Sequence, residues 1–387
     1  MAAPGLGSLA TALAVVGLGV GVALAKAQRE RRSERSRRHP PPREERQRRP
    51  ALLRGEPYVE GLRRVLLGQL DLAVDLLESY PQPVEKAHRA AGGPPGAAPA
   101  GAPRIPPTPV DGEQTVHETR KALKRLRALL ALLRPELGRK RYARESAALR
   151  DCARRLAGAR DAEVMVGTLD ALVQRHPPLA RSAAVRALRS QLHAEREAAT
   201  ALAIRDPRVR GEVLGELRAV RARIERWELR ERGFRLLAPG LERTYREGRL
   251  GLRTARRGVG GKRRGGAKRR RKHTEALHAW RKHVKDLRYV AETLDRGGSG
   301  SSTYTRRVAR RADRLGEALG EEHDLALLED RVRERSRQFV GERGTRKRLL
   351  RLIARRRRSL RKRALREGEH LYRRKPRRFV RRVRHAQ

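Results

Sequence analysis

The chain has 387 residues and sets 95 Lys and Arg against 44 Asp and Glu, a formal charge of +51. A folded body of that charge repels itself unless it meets nucleic acid, an anionic membrane or a free polyanion. Aromatic residues make up only 3%, against a single-strand reader that stacks bases on rings, and Cys152 stands alone, against a disulfide framework or a Cys-based zinc site.

Leu6–Ala25 carries no charge and is about the length that spans a bilayer. No basic residue precedes it and an Arg-rich run follows, a pattern that resists translocation. Residues 1–25 therefore read as a single membrane anchor with the body in the cytoplasm, or as a mobile apolar terminus or short packed helix; a cleaved signal fits less well. Residues 26–54, dominated by Arg, Glu and Pro, read as a basic disordered tether.

Helical spacing begins at Glu56–Tyr80, through Val59, Leu62, Leu66, Leu70, Val74 and Leu77. Residues 81–112 are rich in Pro, Gly and Ala and predict a flexible loop. Helices follow at 115–134, 139–157, 161–174, 179–203, 209–229 and 240–257. A basic loop at 258–272 divides the chain, and helices resume at 274–295, 303–320, 324–340 and 344–368. No segment shows sustained period-two alternation, so the fold class is all-α. Residues 343–387 hold 21 Lys and Arg but only two acids, yet Tyr372, Phe379 and Val380 predict that this tail packs on the body.

One pattern occurs twice. From His117, Arg120, Lys121, Lys124, Leu126 and Arg127 follow at +3, +4, +7, +9 and +10; from His278, Arg281, Lys282, Lys285, Leu287 and Arg288 do the same. At about 100° per residue the cations of each copy form one stripe. Val116, Leu123, Leu126, Leu130 and Leu133 form an apolar stripe opposite the first, and Leu277, Val284, Leu287, Ala291 and Leu294 opposite the second. Thr115 with Glu118 predicts a capping box at the first helix start, and Thr274 a cap for the second. Each basic stripe then begins at a helix N-terminus, where unpaired N–H groups also favour anions. Any single Lys or Arg is most simply a solvated charge. Matched cations at four offsets in both halves, with few carboxylates on the stripes, point instead to a shared anion-binding role. The repeat extends to Leu156–Asp161 and Leu319–Asp324, with His-to-Asp separations of 44 and 46 residues, which makes the unit a duplicated helical hairpin.

These residues resemble the CHAD family, the conserved histidine α-helical domain. The resemblance rests on VHETRKALKRLRALLALLRPEL (116–137) and LHAWRKHVKDLRY (277–289), supported by LERTYREGR (241–249), LAGARD, LGEEHD and EHLYRRKPRRFVRRV (369–383). It covers roughly 55–384, with halves at about 55–230 and 240–384. It implies two pseudo-symmetric four-helix bundles around a central basic channel that binds inorganic polyphosphate, and association with polyphosphate granules in the cytoplasm. The implied contacts are His117, Arg120, Lys121, Lys124 and Arg127 from the first motif. His278, Arg281, Lys282, Lys285 and Arg288 come from the second, and Arg246 and Arg249 from the stretch before it; Tyr289 reads as a rim or core residue. The long loop 81–112, the charged loop 258–272 and the apolar N-terminus depart from the family pattern. No E-x-E-x-K motif of a fused triphosphatase domain occurs, which implies binding without hydrolysis and without a cofactor.

His323-Asp324 could suggest a metal phosphohydrolase, but the matching pair is Arg160-Asp161, and Arg cannot replace a His ligand; a hairpin role with Asp capping the next helix is the simpler expectation. There is no P-loop and no G-x-S-x-G elbow. The alternative function is a nucleic-acid-binding or nucleoid-associated protein using the same basic surface non-specifically. High Arg and Ala usage suggests a GC-rich bacterial source.

Overall fold

A computed structural model describes residues 50–80, 112–200, 206–259, 267–296 and 304–387. The candidate anchor, most of the tether and the loop at 81–111 lie outside the described residues. Pro50–Gln387 forms one compact unit. Its described elements are ten α-helices and three 3₁₀ turns, with no strand among the described residues.

The first helix, α1 (Tyr58–Glu78), buries Leu62, Leu66, Leu70, Ala73 and Leu77 against α2 (Gly112–Arg155). Helix α2 is two arms of a hairpin folded at Gly138, whose φ of 72° is a left-handed value that glycine adopts without strain. Its first arm carries the first His motif, and both apolar stripes named above are buried throughout. Helices α3 (Ala157–Arg175) and α4 (Ala183–Thr200) pack on each other, and α5 (Pro207–Glu225) closes over α1 and α2. Asp206 caps α5, accepting from the backbone N–H of Arg208 at 2.9 Å.

Helix α6 (Ala238–Val259) lies between α2 and α7 (Ala267–Thr293), and α7 carries the second motif. Helix α8 (Tyr304–Glu334) pairs with α7 on one side and α9 (Arg343–Leu371) on another; α10 (Pro376–Arg384) folds back onto α6. The predicted packing of the tail holds: Tyr372 and Phe379 are buried, and Phe379 stacks on Tyr245 with ring centres 4.0 Å apart.

Several boundaries differ from the sequence-based expectation. Helix α2 begins at Gly112, so Thr115 is inside it and buried, and Glu118 pairs with Lys121 at 3.0 Å rather than closing a capping box. Helix α7 begins at Ala267, so 267–272 is helix rather than loop. Thr274 lies two turns in, where its hydroxyl accepts from Arg357 at 3.1 Å. Helix α8 runs unbroken through 320–324, so Asp324 caps nothing. Residues 50–54, assigned to the tether, are docked: Leu52 is buried and its N–H donates to the Thr293 carbonyl at 2.8 Å. A short α10 was not expected at all.

Helix α2 also continues through Pro135, past the helix end expected at 134. Proline has no N–H for the carbonyl four residues back. That carbonyl, of Ala131, instead accepts from the Arg243 guanidinium at 2.7 Å. Gly240 lets α6 come this close, because a Cβ there would collide with the Leu132 carbonyl oxygen.

Candidate functional site

The two motif helices pack side by side, and the contact runs through charged residues as well as the apolar stripes. Arg125 on α2 pairs with Glu292 on α7 at 3.2 Å. Lys124 and Lys285, the matched +7 lysines, lie close enough to repel each other. Burial, then the charges of Arg281 and Lys124, push the Lys285 ammonium down to about 7, while Asp324 pulls the other way. An ammonium so destabilised favours any arriving anion.

Beside Lys285 opens a cavity of about 500 Å³ between α3, α7 and α8. Arg175, Arg281, Lys285 and Arg288 supply its cations; Asp313, Glu317, Glu321 and Asp324 supply its acids. The wall is therefore mixed in charge, its acids all coming from α8 rather than from the motif stripes. Asp313 pairs with Arg288, and Glu321 with Arg356 at 2.6 Å and Arg175 at 3.3 Å. Burial works against the Glu321 carboxylate, but its hydrogen bond to Arg356 holds it below the usual carboxylate range. Gly316 and Gly320 on α8 keep this wall low, and the Arg281 guanidinium packs over Gly320.

His278 lies against His323 of α8, with ring centres 4.3 Å apart. Burial, then the charges of His278 and Arg281, lower His323 to about 4, so above pH 5 it is a neutral ring. Its neighbour Asp324 contributes to the cavity wall. His323, Asp324 and Arg175 were not among the expected contacts. The His-Asp pair was visible in the sequence, but its counterpart Arg160-Asp161 argued for a structural role, and Arg175 lies in no motif.

The twelve expected residues do not converge on one point. Lys124, Arg281, Lys285 and Arg288 form the centre, with His278 at its edge. Arg120 ties the two arms of α2 together by donating to the Ala153 carbonyl at 2.7 Å. His117 and Lys121 sit around Glu118 in the early turns of α2, 44% and 36% exposed. Arg127 and Lys282 act on a different group, Asp286, whose carboxyl burial raises to about 6 despite both cations. Arg246 is 54% exposed and pairs with Glu242 on its own helix. Arg249 lines a separate cleft with residues of the tail. The expected dipole assistance is also absent from the second motif, since His278 lies eleven residues inside α7.

Among the described residues, no group of three or more His, Cys, Asp or Glu side chains is placed to hold a metal ion. None of the described helices is long and apolar enough to cross a membrane.

Fold and site together define an all-helical protein whose two matched basic helices meet at a half-buried cationic contact. The chain belongs to the CHAD family: the family model described as CHAD domain matches residues 109–333, more than half of the sequence. That span runs from the start of α2 to the end of α8 and leaves α1, α9 and α10 outside. No curated protein matches the chain.

Proposed function

We propose that this protein binds inorganic polyphosphate and carries out no reaction on it. The observation that carries the reading is the meeting of Lys124 and Lys285 across the α2–α7 contact, beside a cavity that Arg281 and Arg288 also line. Equivalent lysines that repel each other at a helix contact are a standing cost to the fold, and an anion offsets it. Arg forks grip two phosphate oxygens at once, while Lys adds mobile point charge. A linear anion engages such groups one phosphate at a time, with affinity driven by counterion release. In this reading the protein works in the cytoplasm on polyphosphate granules.

One observation favours a second reading, non-specific nucleic-acid binding. On α9, Arg348, Arg351, Arg355, Arg358, Lys362 and Arg366 are exposed. At about 100° per residue they fall in one stripe, and at 1.5 Å per residue it is about 27 Å long. The acids of α9, Glu367 and Glu369, come only in its last turns. Such a stripe suits phosphate backbones without reading bases.

A titration with long-chain polyphosphate and with duplex DNA at equal phosphate concentration, in ~150 mM salt, separates the two. Polyphosphate is expected to bind more tightly, and the pair Lys124→Glu with Lys285→Glu to weaken it at least about tenfold, or 1.4 kcal/mol. DNA bound as tightly as polyphosphate, or an unaffected double variant, overturns the first reading.

A further inference from the structure

The motif cavity is not the most one-sided concentration of charge in the molecule. Where the chain turns from α9 into α10, a cleft of about 510 Å³ is lined, among the described residues, by Arg249, Arg373, Arg374, Lys375 and Arg378 alone. Five cations from α6 and the tail thus face one concavity, with no carboxylate among the described residues of its wall. The motif cavity, by contrast, carries four acids. The acids nearest in sequence pair with residues outside the cleft: Glu247 with Arg243 at 3.6 Å, Glu367 with Arg314 at 3.9 Å and Glu369 with Arg256 at 3.6 Å. A smaller cleft shares Arg373 and Arg374 and adds Arg307 and Arg311 of α8.

This arrangement is held from beneath. Tyr245 stacks on Phe379 and donates its hydroxyl hydrogen to the Leu371 carbonyl at 3.0 Å. The Tyr245 hydroxyl oxygen in turn accepts from the Arg374 backbone N–H at 3.3 Å. Gly248 leaves room for the Tyr372 ring, which is buried beside Tyr245. The tail cations therefore project from a packed turn, while the Arg373, Lys375 and Arg378 side chains stay exposed. Cations fixed side by side repel one another, and the folded turn holds them together whether or not an anion is present. Preorganisation of this kind lowers the cost of binding a polyanion.

We infer that this cleft is a second binding site for condensed phosphate, separate from the motif cavity and lying largely beyond residues 109–333 of the family match. It shares no lining residue with the motif cavity. The inference rests on the polyphosphate reading for the identity of the ligand. It also gives Arg249 a role that the motif cavity does not. A short oligomer fills each site independently, whereas a long chain that engages both gains from high effective concentration at the second.

Calorimetric titration of the full chain with tripolyphosphate tests this. Wild type is expected to bind two equivalents, and Arg373→Gln with Arg378→Gln one. Lys124→Glu with Lys285→Glu is also expected to leave one, and the four changes combined none. Arg373→Lys with Arg378→Lys, which keeps the charge, should retain both equivalents. For long-chain polyphosphate the Gln pair should weaken binding by about tenfold or more. An unchanged stoichiometry and affinity in the Gln pair overturns the second site. Loss of one equivalent in the Gln pair, with no effect from the Lys124 and Lys285 changes, supports the second site and removes the cavity reading instead. Circular dichroism of the Gln pair should match wild type, since both arginines are exposed.

Discussion

At the residue scale, Lys285 holds the most informative charge. Its depressed value, about 7, places its titration between pH 6 and pH 8. Anion binding raises that value, so binding takes up a proton as pH rises past it. Polyphosphate affinity is expected to fall about tenfold from pH 6 to pH 8, and Lys285→Gln to flatten most of that dependence. A profile left intact in Lys285→Gln would remove Lys285 from this role. The neutral His323 ring plays no part in this range. Stability moves the opposite way. Because the folded value lies below the unfolded 10.5, protonated Lys285 destabilises the fold in full below about pH 7, and the cost disappears as pH rises to 10.5. Lys285→Met should therefore raise the melting temperature at pH 6, on the order of 3–6 °C, and do little at pH 10. Asp286, raised to about 6, acts below that window. The motif arithmetic made this lysine legible as a cation. Its neighbours belong to α2 and α8, and spacing within one helix says nothing about which residues face it from another.

At the element scale, periodicity identified the helices and the apolar stripes, while their ends depended on distant partners. Pro135 is the clearest case. A helix stop was the correct local inference, but Arg243 from α6 satisfies the carbonyl that proline leaves free. Arg243→Met is expected to destabilise the unit by about 2 kcal/mol, the worth of a hydrogen bond from a charged donor. In a Pro135→Ala background the helix supplies its own N–H, so the same change should cost markedly less. Urea unfolding of the four proteins gives the coupling; equal costs in both backgrounds would separate Arg243 from the proline. A similar lesson comes from α8, where Asp324 was expected to cap a new helix after a break at 321–323. The helix runs on because Glu322 and Glu329 anchor it to α9 through Arg357, which lies 3.0 Å from Glu322 and is itself buried. Removing one partner of a buried pair costs about 3–5 kcal/mol. Arg357→Met should fall at the low end, since Arg361 still reaches Glu322 and Arg333 still reaches Glu329.

For the whole molecule, the charge of +51 is arranged rather than spread evenly. Many cations are bound to acids inside the fold, as Arg223 is to the fully buried Glu145. Among the described residues, other cations gather at the motif cavity, the cleft of the tail and the stripe on α9. Composition announced a polyanion partner, but it could not show which cations were already committed to carboxylates and backbone carbonyls; only packing decides that. This division makes salt dependence diagnostic. Each phosphate neutralised on a flexible single strand contributes about 0.7 to the slope of log affinity against log salt. Tripolyphosphate in the motif cavity meets Lys124, Arg281, Lys285 and Arg288, of which Arg288 is largely neutralised by Glu292 and Asp313. Its slope should therefore be about 2 in magnitude. A long chain that reaches the tail cleft as well should at least double that figure. Charge reversal along α9, at Arg351, Arg355 and Arg358, should reduce the slope for DNA and leave that for tripolyphosphate unchanged. Equal slopes for short and long phosphate chains would mean that a single local patch binds both, and that the rest of the charge serves some other partner.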